Sequence, residues 1–147
     1  MGQPPLDYAS RWIGALDLKR SPRHDKTYFL DEDLGYRSDD LKLTVMVRAG
    51  FETDGASVPG LLRWVASPFA GEHAAPAVIH DALYGSQWLD RKTADDIFLE
   101  AMRYNGTTYL RRYAMYWGVR SGGWAAWNGK SSAKVRRCRD FVSVRRG

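Results

Sequence analysis

A histidine, a carboxylate and a phenol fall within five residues at His80, Asp81 and Tyr84, and the acidic pair Asp95 and Asp96 follows shortly after. On a helix, positions 80 and 84 lie one above the other, whereas position 81 is turned away by about 100°. His80 and Tyr84 would then line one pocket while Asp81 faces a neighbouring loop. Histidine is the side chain best suited to moving a proton near neutral pH, provided a partner on one ring nitrogen fixes its tautomer. Asp95 can be that partner if it sits on the first turn of a second helix packed antiparallel to the first. The same spacing also fits a core histidine, a surface acid and a packing tyrosine.

Two helices are needed to bring these groups together. The first is expected over about Ala74 to Leu83 or Tyr84, with Pro76 tolerated in its first turn and Gly85 as its stop. The second is expected over about Ala94 to Tyr104, with Thr93 as N-cap, Asp96 at the third position and Asn105-Gly106 as terminator. A third runs from about Tyr109 to Val119 or beyond. Tyr113, Tyr116 and Trp117 recur on it at core spacing, and Trp124 and Trp127 extend the core.

Upstream, Lys26–Leu30 is rich in aromatic and β-branched residues, and Leu41, Leu43, Val45 and Val47 alternate; both read as strands. Arg11–Leu18 fits a short helix or an extended segment, and Asp31–Asp40 reads as acidic and turn-like. Asp54-Gly55 marks a tight turn, in which the Ser57 hydroxyl holds the loop or, with His80 and Asp95, acts as a nucleophile. Leu61–Ala66 reads as a short helix. The fold class expected is α+β, a small N-terminal antiparallel β-sheet followed by a bundle of about three helices.

The 147 residues are 44% hydrophobic and 27% charged, as in an ordinary globular domain. A lone cysteine, Cys138, excludes an intramolecular disulfide framework and a cysteine-based zinc site. Met1–Leu6 lacks a basic region ahead of an apolar core, so no signal peptide is expected, and no apolar run reaches the ~18–20 residues of a membrane span. The net charge of +5 is concentrated: Lys130–Gly147 carries seven basic residues against Asp140 alone, while the remainder has 15 basic and 16 acidic. This divides the chain into a globular domain over 1–129, with an arm at 1–10, and a basic C-terminal tail over 130–147. Such a tail suits nucleic acid, anionic lipid or an acidic protein face. Val135, Phe141, Val142 and Val144 within it favour a docked or partner-ordered segment.

The run His80-Asp81-x-x-Tyr84, Arg91, Ala94-Asp95-x-x-Phe98-Leu99-x-x-Met102 resembles the core of the phospholipase A2 superfamily over about 25 residues. That resemblance implies His80 as the base that activates water, Asp95 as the partner that orients it, Tyr84 in support and Asp81 as a Ca2+ ligand. Asp54, in the Asp54–Ser57 turn, is the nearest candidate for a second ligand. A wider stretch also looks like an uncharacterised family encoded by bacteriophages and prophages, domain of unknown function 1353. It comprises Gly50-Phe51-Glu52-Thr53-Asp54-Gly55-Ala56-Ser57-Val58-Pro59, His80-Asp81-x-x-Tyr84, Arg91…Asp95…Met102 and Met115-Tyr116-x-x-Val119-Arg120. The resemblances imply a phage protein of the virion or host cytoplasm, with two alternatives for its role. One is a lipid esterase acting on the host envelope. The other is a non-enzymatic tail or baseplate component that docks on other virion proteins through its basic tail.

Overall fold

Short β-rich segments come first in the chain and longer helical ones follow. The computed structural model describes residues 11–24, 27–53 and 73–147. Its strands are β1 (Trp12–Ile13), β2 (Leu18–Arg20), β3 (Tyr28–Leu30), β4 (Leu34–Ser38), β5 (Leu43–Val47) and β6 (Glu52–Thr53). Helices α1 (Ala74–Ser86), α2 (Arg91–Tyr104), α3 (Tyr109–Asn128) and α4 (Ser132–Arg139) follow, and β7 (Val142–Arg146) is last. The fold is α+β. Every strand pairing is antiparallel, in a four-stranded sheet of order β1-β4-β5-β7 and a three-stranded sheet of order β2-β3-β6.

The alternation of Leu43, Val45 and Val47 becomes β5, with those three side chains buried and Thr44 and Met46 between them half-buried. Leu41 lies outside the strand and is exposed, because the chain turns through residues 39–42 with Lys42 in a left-handed conformation (φ 53°). One expectation changes in this region. Residues 31–40 are not all turn, since Leu34–Ser38 pairs with β5 along its whole length. Of the two alternatives for Arg11–Leu18, the extended segment is the one found, ending in β2.

The basic stretch 130–147, set apart above as a tail, contains α4 and β7. β7 pairs with β5 over five residues, Val142 opposite Val47 and Val144 opposite Val45. Its alternation is the reason: Val142 is buried in the core and Val144 packs against it, while Arg145 and Arg146 are exposed. Residues 130–147 thus add a strand to the sheet of the preceding domain.

Helix α1 is the central pillar, with all of Pro76–Ser86 buried. Its left-handed cap is Gln87 (φ 51°), whose N–H reaches the Leu83 carbonyl, and Gly85 lies two residues inside that stop. At Gly85 an added Cβ would sit 2.7 Å from Cys138 Sγ, so this glycine lets α4 approach closely. The connection 87–90 is short and anchored, Gln87 Nε2 donating to the Trp127 carbonyl at 2.9 Å and Trp88 Nε1 to Val142 at 2.8 Å. Helix α2 begins three residues earlier than expected. Asp90, not Thr93, is its N-cap and accepts from the Thr93 N–H, while the Thr93 hydroxyl also donates to Asp90.

At the opposite end, the buried Arg11 guanidinium stacks 3.5 Å over the Tyr104 ring and bonds the buried Glu100 at 3.3 Å, tying the start of β1 to α2. Helix α3 runs beyond Val119 to Asn128, and Tyr116 and Trp127 pack inward as expected. Trp117 and Trp124 do not; they are 62% and 57% exposed. Among the described residues no helix is long and apolar enough to cross a membrane.

Candidate functional site

The short connection from α1 to α2 lays the second helix against the first and brings Asp95 to the His80 and Tyr84 face of α1. His80 Nε2 lies 2.7 Å from Asp95 Oδ1, and the Tyr84 hydroxyl donates to the same oxygen at 2.7 Å. The two arginines address the other oxygen, Oδ2: Arg120 Nη1 from α3 at 2.8 Å and Arg91 Nη1 at 3.5 Å. Arg91 is held in turn by the Val119 and Arg120 carbonyls, at 2.9 and 3.2 Å. One carboxylate therefore joins three helices.

His80 and Asp95 are both 0% exposed. The imidazole is sandwiched, its centroid 4.3 Å from the Tyr84 ring and 4.6 Å from Phe98. Burial pulls the Asp95 pKa upward, but the bonds from His80, Tyr84 and Arg120 outweigh it and hold the carboxyl below its ordinary value. An ionised carboxylate only accepts hydrogen bonds, so His80 donates to it through Nε2–H. Burial, then the bond to Asp95, raises the Tyr84 phenol well above its usual value, so it stays a donor.

Asp81 occupies a different place. It is 7% exposed, accepts from the Thr53 hydroxyl of β6 at 2.5 Å and contributes to a cavity on the side of α1 facing β6 and α4. The rotation of about 100° from His80 separates these two neighbours as the helical pattern requires. Asp54 and Ser57 lie outside the described residues, as do the 1–10 arm and the Leu61–Ala66 segment.

Ca2+ takes about six to eight oxygen ligands, with carboxylates prominent among them. Besides Asp81, the described residues here include Thr53, Thr27 and Glu52, against Lys130, Lys134 and Arg137 on the same cavity. Among the described residues no group of three or more His, Cys, Asp or Glu side chains is gathered for a metal. Of the two ligands that the calcium reading names, Asp81 and Asp54, only Asp81 is among the described residues.

Sequence spacing pointed to His80, Tyr84 and Asp95 together. The roles of Arg91 and Arg120 as partners of Asp95 were missed. Arg91 had a usable signal, four residues before Asp95 on one helix face. Arg120 stood in the family-like run Met115–Arg120, but helical spacing did not link it to Asp95, since only the packing of α3 brings it to the site.

A family model described as a protein of unknown function, DUF1353, matches residues 28–119. The match covers more than half of the chain and includes His80, Asp81, Tyr84, Arg91 and Asp95, with Arg120 just beyond it. No curated protein and no solved structure matches the chain.

Proposed function

The chain belongs to the DUF1353 family, and from that premise we propose that it is a phage-encoded hydrolase of lipid esters acting on the host envelope. The observation that carries this reading is the 2.7 Å contact between His80 Nε2 and Asp95 Oδ1, with Tyr84 on the same oxygen. The reading requires water and ester to reach the buried His80, whose Nδ1 would take a proton from the water as the water oxygen bonds to the ester carbonyl carbon. The tetrahedral adduct then expels the alkoxide, which recovers the proton from His80. Asp95 stays ionised throughout and stabilises the transient imidazolium, and Tyr84 and Arg120 hold Asp95 in register. No step requires a metal at Asp81.

A second reading, a non-enzymatic virion component of the tail or baseplate, draws on a different observation. His80 has no exposed surface, and a buried, fully bonded network of this kind also serves to lock three helices together. In that case the basic 130–147 segment, whose Arg136, Arg137 and Arg145 are exposed, supplies the docking face.

One experiment separates the two: fatty-acid release from phospholipid vesicles by the full chain and by His80→Gln, each checked for folding by circular dichroism. The hydrolase reading expects release by the parent chain and a loss of roughly 100-fold or more in the folded variant. Release that is absent from the parent chain, or equal in a folded His80→Gln, overturns it.

A further inference from the structure

On a different side of α1 from the His80 network lies a cavity of about 280 Å³, just below the usual range for ligand sites. Asp81 and Gly85 of α1, Phe51 and Glu52, and Cys138 of α4 all line it. Lys130, Lys134 and Arg137 line it as well. Lys134 and Arg137 are three residues apart on α4 and so share one helix face, and Lys130 lies just before the Ser131 N-cap. None of these three cations makes an ion pair or a side-chain hydrogen bond among the described residues.

Their neighbour Arg139 is engaged: Nε bonds the Ser86 carbonyl at 2.7 Å and the guanidinium stacks 4.3 Å over Trp88. With Cys138 against Gly85, this fixes α4 on α1 and leaves three cations around one small cavity. Two ammonium groups and a guanidinium fork together suit a group with several anionic oxygens. The Asp81 carboxylate is an acceptor that suits a hydroxyl.

We propose that this cavity binds a small phosphate ester of a polyol, monoester or diester, with the phosphate on Lys130, Lys134 and Arg137 and a hydroxyl donated to Asp81. The inference goes beyond the hydrolase reading and does not rest on it, since no step at His80 is involved. The rim residues also lie outside the span 28–119 that the family model matches. The same chemistry is offered by a free polyol phosphate and by the glycerophosphate of a lipid headgroup.

Cys138, the only cysteine in the chain, is half-buried in the cavity wall and serves as a reporter. The full chain would be titrated calorimetrically with glycerol 3-phosphate at constant ionic strength, and Cys138 alkylation by iodoacetamide timed alongside. Saturable binding is expected, with alkylation slowed roughly tenfold at ten times the dissociation constant. The double variant Lys134→Ala/Arg137→Ala, both at exposed positions, should lose binding and protection, whereas Arg136→Ala, off the cavity, should keep both. Co-sedimentation with phosphatidylglycerol vesicles, lost in the double variant, would assign the lipid source; binding of glycerol 3-phosphate without co-sedimentation would assign the soluble one. Absence of saturable binding, or equal binding by the double variant, overturns the proposal. Ester hydrolysis is read in a separate assay, so the two readings fail independently.

Discussion

Asp95 is the residue on which the candidate site turns. It is sealed from solvent yet ionised, and it stays so because His80, Tyr84, Arg120 and Arg91 all direct donors at it. Removing one member of a buried charged network typically costs about 3–5 kcal/mol, because the partners are left unpaired. Asp95→Asn should therefore lower stability by about 3 kcal/mol in urea titrations. The pH dependence has a definite sign. Burial raises the carboxyl, but its bonds lower it further, so its folded value lies below the unfolded value of roughly 3.9. Its contribution is complete above about pH 4 and is lost as pH falls through the folded value. The parent chain should accordingly lose stability more steeply below pH 4 than Asp95→Asn; parallel curves would remove Asp95 as the source. At this scale much was legible, because His80 and Tyr84 one turn apart and an acid on the next helix follow from helical spacing alone. The Arg120 contact was not legible, as it depends on how α3 packs.

At the level of elements, the helices depend on a few close approaches. Gly123 of α3 is buried against Tyr84, and a methyl group added there would collide with the Tyr84 hydroxyl that holds Asp95. In an exposed helix interior, Gly→Ala would gain about 1 kcal/mol. Here overpacking should reverse that sign, with a loss of about 1–3 kcal/mol measured by chemical denaturation. An increase in stability would show that α3 can shift freely away from α1. The boundaries that differed from sequence expectation share a physical reason. Asp90 displaced Thr93 as N-cap because both are capping residues at a permissible start, and the anchored 87–90 connection fixes which one is used. Strand β4 was hidden by its acidic flanks, although Leu34, Tyr36 and Ser38 alternate inward. Val142 and Val144 of β7 share one face and pointed to a docked segment, but the arginines beside them hid that it docks as a strand on β5.

Over the whole molecule, charge and architecture divide the chain differently. Composition separates a near-neutral 1–129 from a basic 130–147, but β1 and β7 form the two edges of one sheet and α4 packs on α1. Arg11 joins the front of the chain to α2 as well. Unfolding should therefore be one cooperative transition, with tryptophan fluorescence and far-ultraviolet circular dichroism giving coincident thermal midpoints. An earlier, separate melting of the 130–147 segment would restore the division drawn from composition. The pairing of β5 with β7 also bears on how the protein is made. Val47 and its partner Val142 are about 95 residues apart. At roughly 5–20 residues per second, a ribosome takes roughly 5–20 s to cover that distance. For that interval β5 has finished synthesis while the strand that covers one of its edges does not yet exist. An uncovered edge with alternating apolar residues is a template for pairing with other chains, so the yield of folded protein is set during translation as well as after it.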